Sequence, residues 1–179
     1  MKITYPHVIE NCIGEKIIFH GLDGDKLVGE AFVMPGNGPV MHTHFLQDES
    51  FTVIKGRVGY QVLGQPEQFA SEGETVFFKR GVAHRFWNAG STILHCSCWV
   101  NPANTFPYFI SSIFAAQNKS GNAQPEKFDA AYLLTRYSSE YDMNEIPKLV
   151  RRIIIPATYY IGKFLGKYKH FKDAPEPVR

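Results

Sequence analysis

Short runs rich in β-branched and aromatic residues, each closed by a turn signal, fill the N-terminal part of the chain. The runs are Lys16–His20, Leu27–Met34, Ser50–Ile54, Arg57–Leu63, Thr75–Phe78, His84–Asn88 and Thr92–Val100. The breaks are Asp23-Gly24, Pro35-Gly36-Asn37-Gly38, Gly64-Gln65-Pro66, Ala89-Gly90-Ser91 and Asn101-Pro102. Regular short strands with this punctuation predict a sandwich or barrel over roughly residues 15–101, and Asp23-Gly24 is a strong hairpin signal.

After Asn104 the period changes. Phe106–Gln117 reads as a helix, Asn118–Gln124 as a polar loop, and Pro125 suits a first helical turn. Ala130, Leu134, Tyr137 and Tyr141 then fall on one helical face. A third helical segment covers Ile146–Lys169, with a kink expected at Pro156. The pattern divides the chain into a β domain, 1–104, and a helical C-terminal extension, 105–179, expected to pack on it or on a second subunit.

Candidate chemistry sits in the β part. His42 and His44 are two apart, so on a strand they point the same way. Glu49 follows on the next run, and Gly73, Gly81, His84 and Asn88 form a second block. Imidazoles and a carboxylate together suit a divalent transition metal. Asp48 competes with Glu49 by position alone. Parity favours Glu49, which shares its face with the apolar Phe51 and Val53, whereas Asp48 shares its face with Ser50, Thr52 and Ile54. By the same alternation His84, Phe86 and Asn88 look inward, and Arg85 and Trp87 look out.

These two blocks resemble the paired signature of the cupin superfamily, G-x5-H-x-H-x3/4-E-x6-G and G-x5-P-x-G-x2-H-x3-N. His42, His44, Glu49 and Gly56 match the first motif, with Gly38 or Gly36 off the full opening spacing. Gly73, Gly81, His84 and Asn88 match the second, with Lys79 in place of the usual proline. The resemblance implies a small double-stranded β-helix, or jelly-roll, barrel and one divalent metal held by His42, His44, Glu49 and His84. The metal would be iron, manganese, nickel, zinc, cobalt or copper. Histidine binds only when neutral, so affinity is expected to fall through about pH 6.5. His7, His20, His95 and His170 are read as ordinary surface or core residues.

The single-barrel sequence is similar to quercetin-dioxygenase-like cupins. It implies a small-molecule oxygenase acting on a phenolic or enolic substrate; the alternative is a non-catalytic metal-containing binding or sensor module. Phe51, Val53, Tyr60, Val62 and Phe86 are the expected substrate pocket. Glu49, as ligand and proton acceptor, and Tyr60, as donor to a bound oxygen or as a plain wall residue, are the catalytic candidates. Gln47 reads as a surface loop residue. A sugar-phosphate isomerase would need basic pocket residues, and these inward sets contain none.

Composition narrows the partners. The chain has 179 residues, 44% hydrophobic and 14% aromatic, enough for one domain with a core and an extension. A formal net charge of +2 and no helix-turn-helix pattern argue against nucleic acid. No apolar stretch follows Met1-Lys2-Ile3-Thr4, so no signal peptide and a cytoplasmic location are expected. Cys12, Cys96 and Cys98 give no disulfide framework, and Cys96 and Cys98 read as a buried, reduced strand face with Leu94 and Val100. Open strand edges predict a homodimer.

Charge is unevenly spread: residues 1–104 carry 8 basic and 10 acidic side chains, residues 105–179 carry 11 and 7. Between Asn144 and Lys172 seven basic residues and one acidic are interleaved with Ile153, Ile154, Ile155, Tyr159, Tyr160, Ile161, Phe164 and Leu165. Such a segment can lie on an anionic membrane surface, or be a packed helix whose lysines are its solvated face.

Overall fold

A computed structural model describes residues 3–179; Met1 and Lys2, where the reading of the N-terminus begins, lie outside the described residues. Ten strands come first: β1 (His7–Glu10), β2 (Glu15–Asp23), β3 (Lys26–Val33), β4 (His42–His44), β5 (Asp48–Lys55), β6 (Arg57–Val62), β7 (Gln68–Ser71), β8 (Thr75–Phe78), β9 (His84–Asn88) and β10 (Leu94–Asn101). Helices α1 (Phe106–Ser120) and α2 (Lys127–Arg136), strand β11 (Tyr141–Met143) and helix α3 (Ile155–Phe164) complete the chain.

The strands form two antiparallel sheets, ordered β1-β2-β3-β10-β5-β8 and β11-β4-β9-β6-β7. This is a mainly β jelly roll with C-terminal helices. Its layers face each other as a sandwich: among the described residues no ladder joins the two sheets, so the expected barrel is not closed by hydrogen bonds. One edge of the second sheet is formed by β11, which pairs with β4.

Local chemistry explains the tight corners. Asp23 pairs with Lys26, which leaves Gly24 at the first central position of a two-residue turn, with φ 60. That position needs positive φ in a II′ hairpin, a conformation glycine adopts without cost. Gly38 has φ 153 and lies against the Phe86 carbonyl, where any Cβ would collide. The bend that delivers the chain into β4 therefore depends on glycine.

Two cores form. Val33, Phe51, Val53, Val58, Val76, Phe78, Leu94 and Cys96 fill the space between the sheets. Ile9, Phe19, Leu27, Val100, Phe106, Phe109, Leu133, Tyr137 and Tyr141 join β1–β3 and β10 to the helices. Burying each large side chain contributes about 1.5–3 kcal/mol. The extension thus shares a core with the first sheet.

Several elements depart from the periodicity. β1, β7 and β11 interrupt stretches without a strong strand pattern. Tyr141 lies on β11, although its spacing from Tyr137 is helical: α2 ends at Arg136, and the buried Glu140 draws the chain back to β4. Pro125 precedes the α2 N-cap, Glu126, whose carboxylate accepts from the Phe128 and Asp129 N–H groups at 3.1 and 3.0 Å. The third helical segment is shorter than its pattern. It opens as a π-turn at Val150–Ile154, with the Ile155 N–H donating to the Val150 carbonyl, and continues as α3. Pro156 has no N–H and would clash with the carbonyl four residues back in an α-helix. Widening to π geometry just before it relieves that conflict.

Candidate metal centre

The extension helps build the site. On β4, His42 and His44 both face the gap between the sheets, and Thr43 turns away to donate from its hydroxyl to Asn144 Oδ1 at 2.8 Å. β4 is held on one side by β9, where His42 is directly opposite His84, and on the other by β11. Further bonds tie the same strand down: the Met41 N–H donates to Glu145 Oε1 at 3.0 Å, and the Phe45 N–H to the Glu140 carbonyl at 2.8 Å. Glu49 comes from β5 in the opposite sheet. Three imidazoles on one layer therefore meet one carboxylate on the other.

The four donor atoms lie within 4.8 Å of one another, and all four residues are buried. Asp48 points outward and pairs with Arg80, Nη2 to Oδ2 at 2.8 Å and Nε to Oδ1 at 3.1 Å. That guanidinium holds the Asp48 carboxyl below its ordinary value.

Hydrogen bonds aim the imidazoles. His42 Nδ1 is 2.8 Å from the Val40 carbonyl and His84 Nδ1 is 2.9 Å from the Val82 carbonyl. A carbonyl only accepts, so each Nδ1 carries the proton and each Nε2 keeps its lone pair. His44 Nδ1 is buried with no partner. Phe78 stacks on His84 at 3.9 Å between ring centroids and 11° between planes, fixing its orientation.

The electrostatics favour a cation. Burial, reinforced by His44 and His84, lowers the His42 pKa to about 3. Burial likewise lowers His44 to about 4. The loss of binding expected near pH 6.5 is therefore not set by His42 or His44. For Glu49 burial acts upward, but the surrounding imidazoles, His44 first and then His84 and His42, outweigh it and bring the carboxyl to about 2. Glu49 is 5% exposed, and an ionised carboxylate so buried is costly without a positive partner. His84 Nε2 and Glu49 Oε2 are 3.0 Å apart, so two lone pairs face each other unless a proton or metal lies between them. Two donors at right angles on one ion, each about 2.1 Å from it, sit about 3 Å apart. The donor set fits a divalent metal.

The site opens on a cavity of about 830 Å³ between the jelly roll and the helices. His42, His44 and Glu49 reach its wall with Phe51, Phe86 and Cys98; α1 adds Phe106, Phe109, Ile110 and Ile113. Val53, Tyr60 and Val62 do not line it, contrary to the expected pocket. Val53 is sealed in the core between the sheets, with Tyr60 and Val62 packed against its edge. Tyr60 donates from its hydroxyl to Gln68 Oε1 at 2.9 Å, which commits the expected catalytic donor to a neighbouring strand. Cys96 and Cys98 are free thiols on the face they share with Leu94 and Val100; burial pushes Cys96 up to about 12 and Cys98 higher.

Gln47 is the largest surprise. It is 1% exposed and donates to Glu140 Oε2 at 2.8 Å. Glu140, itself 0% exposed, also accepts from the Thr105 hydroxyl at 2.8 Å and from the Val178 N–H at 3.0 Å. The loop joining β4 to β5, between His44 and Glu49, is thus pinned to the extension. Nothing in the residues around Gln47 signals a partner 93 positions away. The helix over Phe106–Gln117 is legible in the sequence, but not the cavity that it covers.

The family model described as "Cupin domain" matches residues 29–100. This stretch runs from β3 to β10 and contains all four donors and both motif blocks. Residues 29–100 form a cupin domain. No curated protein matches the chain. Among solved structures, TT1209 from Thermus thermophilus is 20% identical, with a TM-score of 0.46 over 50% of this chain and 84% of that one. A conserved double-stranded β-helix protein from Klebsiella pneumoniae gives 20% and 0.45, over 57% and 84%. A recombinant oxalate oxidase in complex with glycolate gives 22% and 0.46, over 54% and 56%. None of these likenesses carries activity across. In this chain the C-terminal extension adds a fifth strand, β11, to the histidine sheet, and a helical cover over the cavity.

Proposed function

We propose that the protein is a mononuclear metal oxygenase acting on an apolar small molecule that bears a phenolic or enolic oxygen. One observation carries the reading: the His42, His44 and Glu49 side chains form a polar end of a mainly apolar cavity, walled by Phe51, Phe86, Phe106, Phe109 and Ile113, with Glu15, Lys16 and Lys127 elsewhere in its lining. An organic ring or chain is stabilised by such a wall, and an oxygen at its end faces the donor set. A divalent redox metal there supplies Lewis acidity and electron exchange with dioxygen. The chain's own part is positional. Val40 and Val82 orient two imidazoles, Glu49 supplies the negative charge, and the aromatic wall excludes water. The Tyr141 hydroxyl is no free proton donor, because it lies among Gln47, Thr105 and Glu140 at 3.3–3.4 Å.

A second reading, a metal-containing binding module without turnover, is favoured by Tyr60 pointing elsewhere. Oxygen consumption by iron-loaded protein over flavonols, catechols and β-diketones decides between them, with His42→Ala as control. Metal-dependent uptake with any of these supports the oxygenase; zinc as isolated and no uptake across the panel supports the binding module.

A further inference from the structure

We infer that the segment Leu149–Leu165 docks the protein onto an anionic lipid surface. A packed helix would bury its apolar stripe and leave its lysines in water. Here the stripe itself is in water. Leu149, Ile153, Tyr160, Ile161, Phe164 and Leu165 are all exposed, and Phe164 is 90% so. Their spacing, near three and four, places them along one side of the π-turn and α3. The opposite side, with Tyr159 and Gly162, packs on α2 and Tyr168.

The charges beside this stripe choose the occupant. Lys148 and Arg152 flank its start, Lys163 and Lys167 its end, and all four are exposed. Lys169 and Lys172 follow, also exposed. Among the described residues none of these six is in an ion pair; only Arg151 of the segment is, with Asp142. An apolar face rimmed by unpaired cations matches a headgroup layer over acyl chains. A second copy is a poorer fit, because a two-fold interface sets the same patch against itself and would bring like charges together. No described helix is long and apolar enough to cross a bilayer, so the contact is a surface one.

The segment is also a wall of the cavity. Val150, Ile154, Ile155 and Thr158 line it, and Ile154 is exposed to solvent as well. The docked face and the apolar chamber are thus separated by a single turn of chain, which gives an apolar molecule a short path from the lipid phase.

The test is flotation of the full-length protein with vesicles of phosphatidylglycerol mixed with phosphatidylcholine, and with phosphatidylcholine alone. At about 0.1 M salt, where charge acts over about 10 Å, the protein is expected to rise with the anionic vesicles only, and to be released at about 1 M. Lys163→Glu/Lys167→Glu is expected to cut the bound fraction at least about tenfold, and Ile161→Ser/Phe164→Ser to abolish it. Both pairs are at the surface, and unchanged metal content reports an intact fold; should the serine pair misfold, the charge pair decides alone. Absence of wild-type co-flotation at low salt overturns the inference, as does binding that both variants retain. A wild-type dimer split to monomer by Phe164→Ser, seen in sedimentation, also overturns it by showing that a second copy covers the face.

Discussion

Glu140 offers the sharpest test of how the extension supports the site. Its carboxylate is fully enclosed and accepts from Gln47, Thr105 and Val178 at 3.0 Å or less, with Tyr141 and the Thr105 N–H at 3.4 Å. In Glu140→Ala these donors lose their acceptor inside the protein. Each unsatisfied buried group costs about 1–3 kcal/mol, while the lost desolvation of the carboxylate returns part of that. Three close donors left unsatisfied, less that return, give a net of about 3–5 kcal/mol. For a chain of this size a kilocalorie shifts Tm by about 2–4 °C, so a fall of about 10 °C is expected. Glu140→Gln keeps one acceptor oxygen but turns an NH₂ toward donors, and should lose about half as much. The assay is calorimetric unfolding of the metal-free protein, paired with a metal titration. The titration should weaken too, because Gln47 no longer anchors the loop between His44 and Glu49. A Glu140→Ala protein melting within about 3 °C of wild type would refute the reasoning.

Three further outcomes are expected. The metal-free protein should lose stability as pH falls from 6.5 toward the values of about 4 and about 3 held by His44 and His42, because only the unfolded chain takes up those protons; each histidine contributes a slope of about 1.4 kcal/mol per pH unit. The fall of Glu49 to about 2 continues the decline below 4.5, and urea midpoints at a series of pH values check the sign, a flat profile sinking it. His42→Ala/His44→Ala should purify without stoichiometric metal by elemental analysis, and near-full metal in that variant would disprove the site. Light scattering should return the mass of a homodimer, formed through the open sheet edges, while a mass near 20.3 kDa would show a monomer.

How much of this was legible beforehand depends on the range of the interactions. Strand alternation is local, so it separated Glu49 from Asp48 and turned His84, Phe86 and Asn88 to one side. The offsets of His42, His44, Glu49 and His84 pick out side chains that the fold does gather, because β4 pairs with β9 in one sheet while the chain after β4 crosses to β5 in the facing one. Gln47 was opaque for the opposite reason. A polar residue between Leu46 and Asp48 looks solvated, and only Glu140, far along the chain, makes its burial affordable. Tyr141 misled through coincidence, since its step of four from Tyr137 mimics a helix while Glu140 between them anchors a strand. Tyr60 shares the inward parity of its run, yet parity says nothing about which end of the sandwich a residue occupies. Closure failed as an expectation because periodicity identifies strands without naming their partners.

The pairing of β11 with β4 has a consequence for the order of events during synthesis. Thr43 waits for Asn144, which is 101 residues further along. At about 5–20 residues per second the ribosome needs about 5–20 s to deliver it. Throughout that interval the two histidines of β4 sit on an uncovered edge of three residues, held by one register pair to β9. A nascent chain halted near Asn104 would thus present all four donors without the strand that steadies two of them. The geometry of the centre is therefore completed only once β11 has emerged, and a chain stopped between the cupin domain and β11 leaves the histidine edge open to other strands.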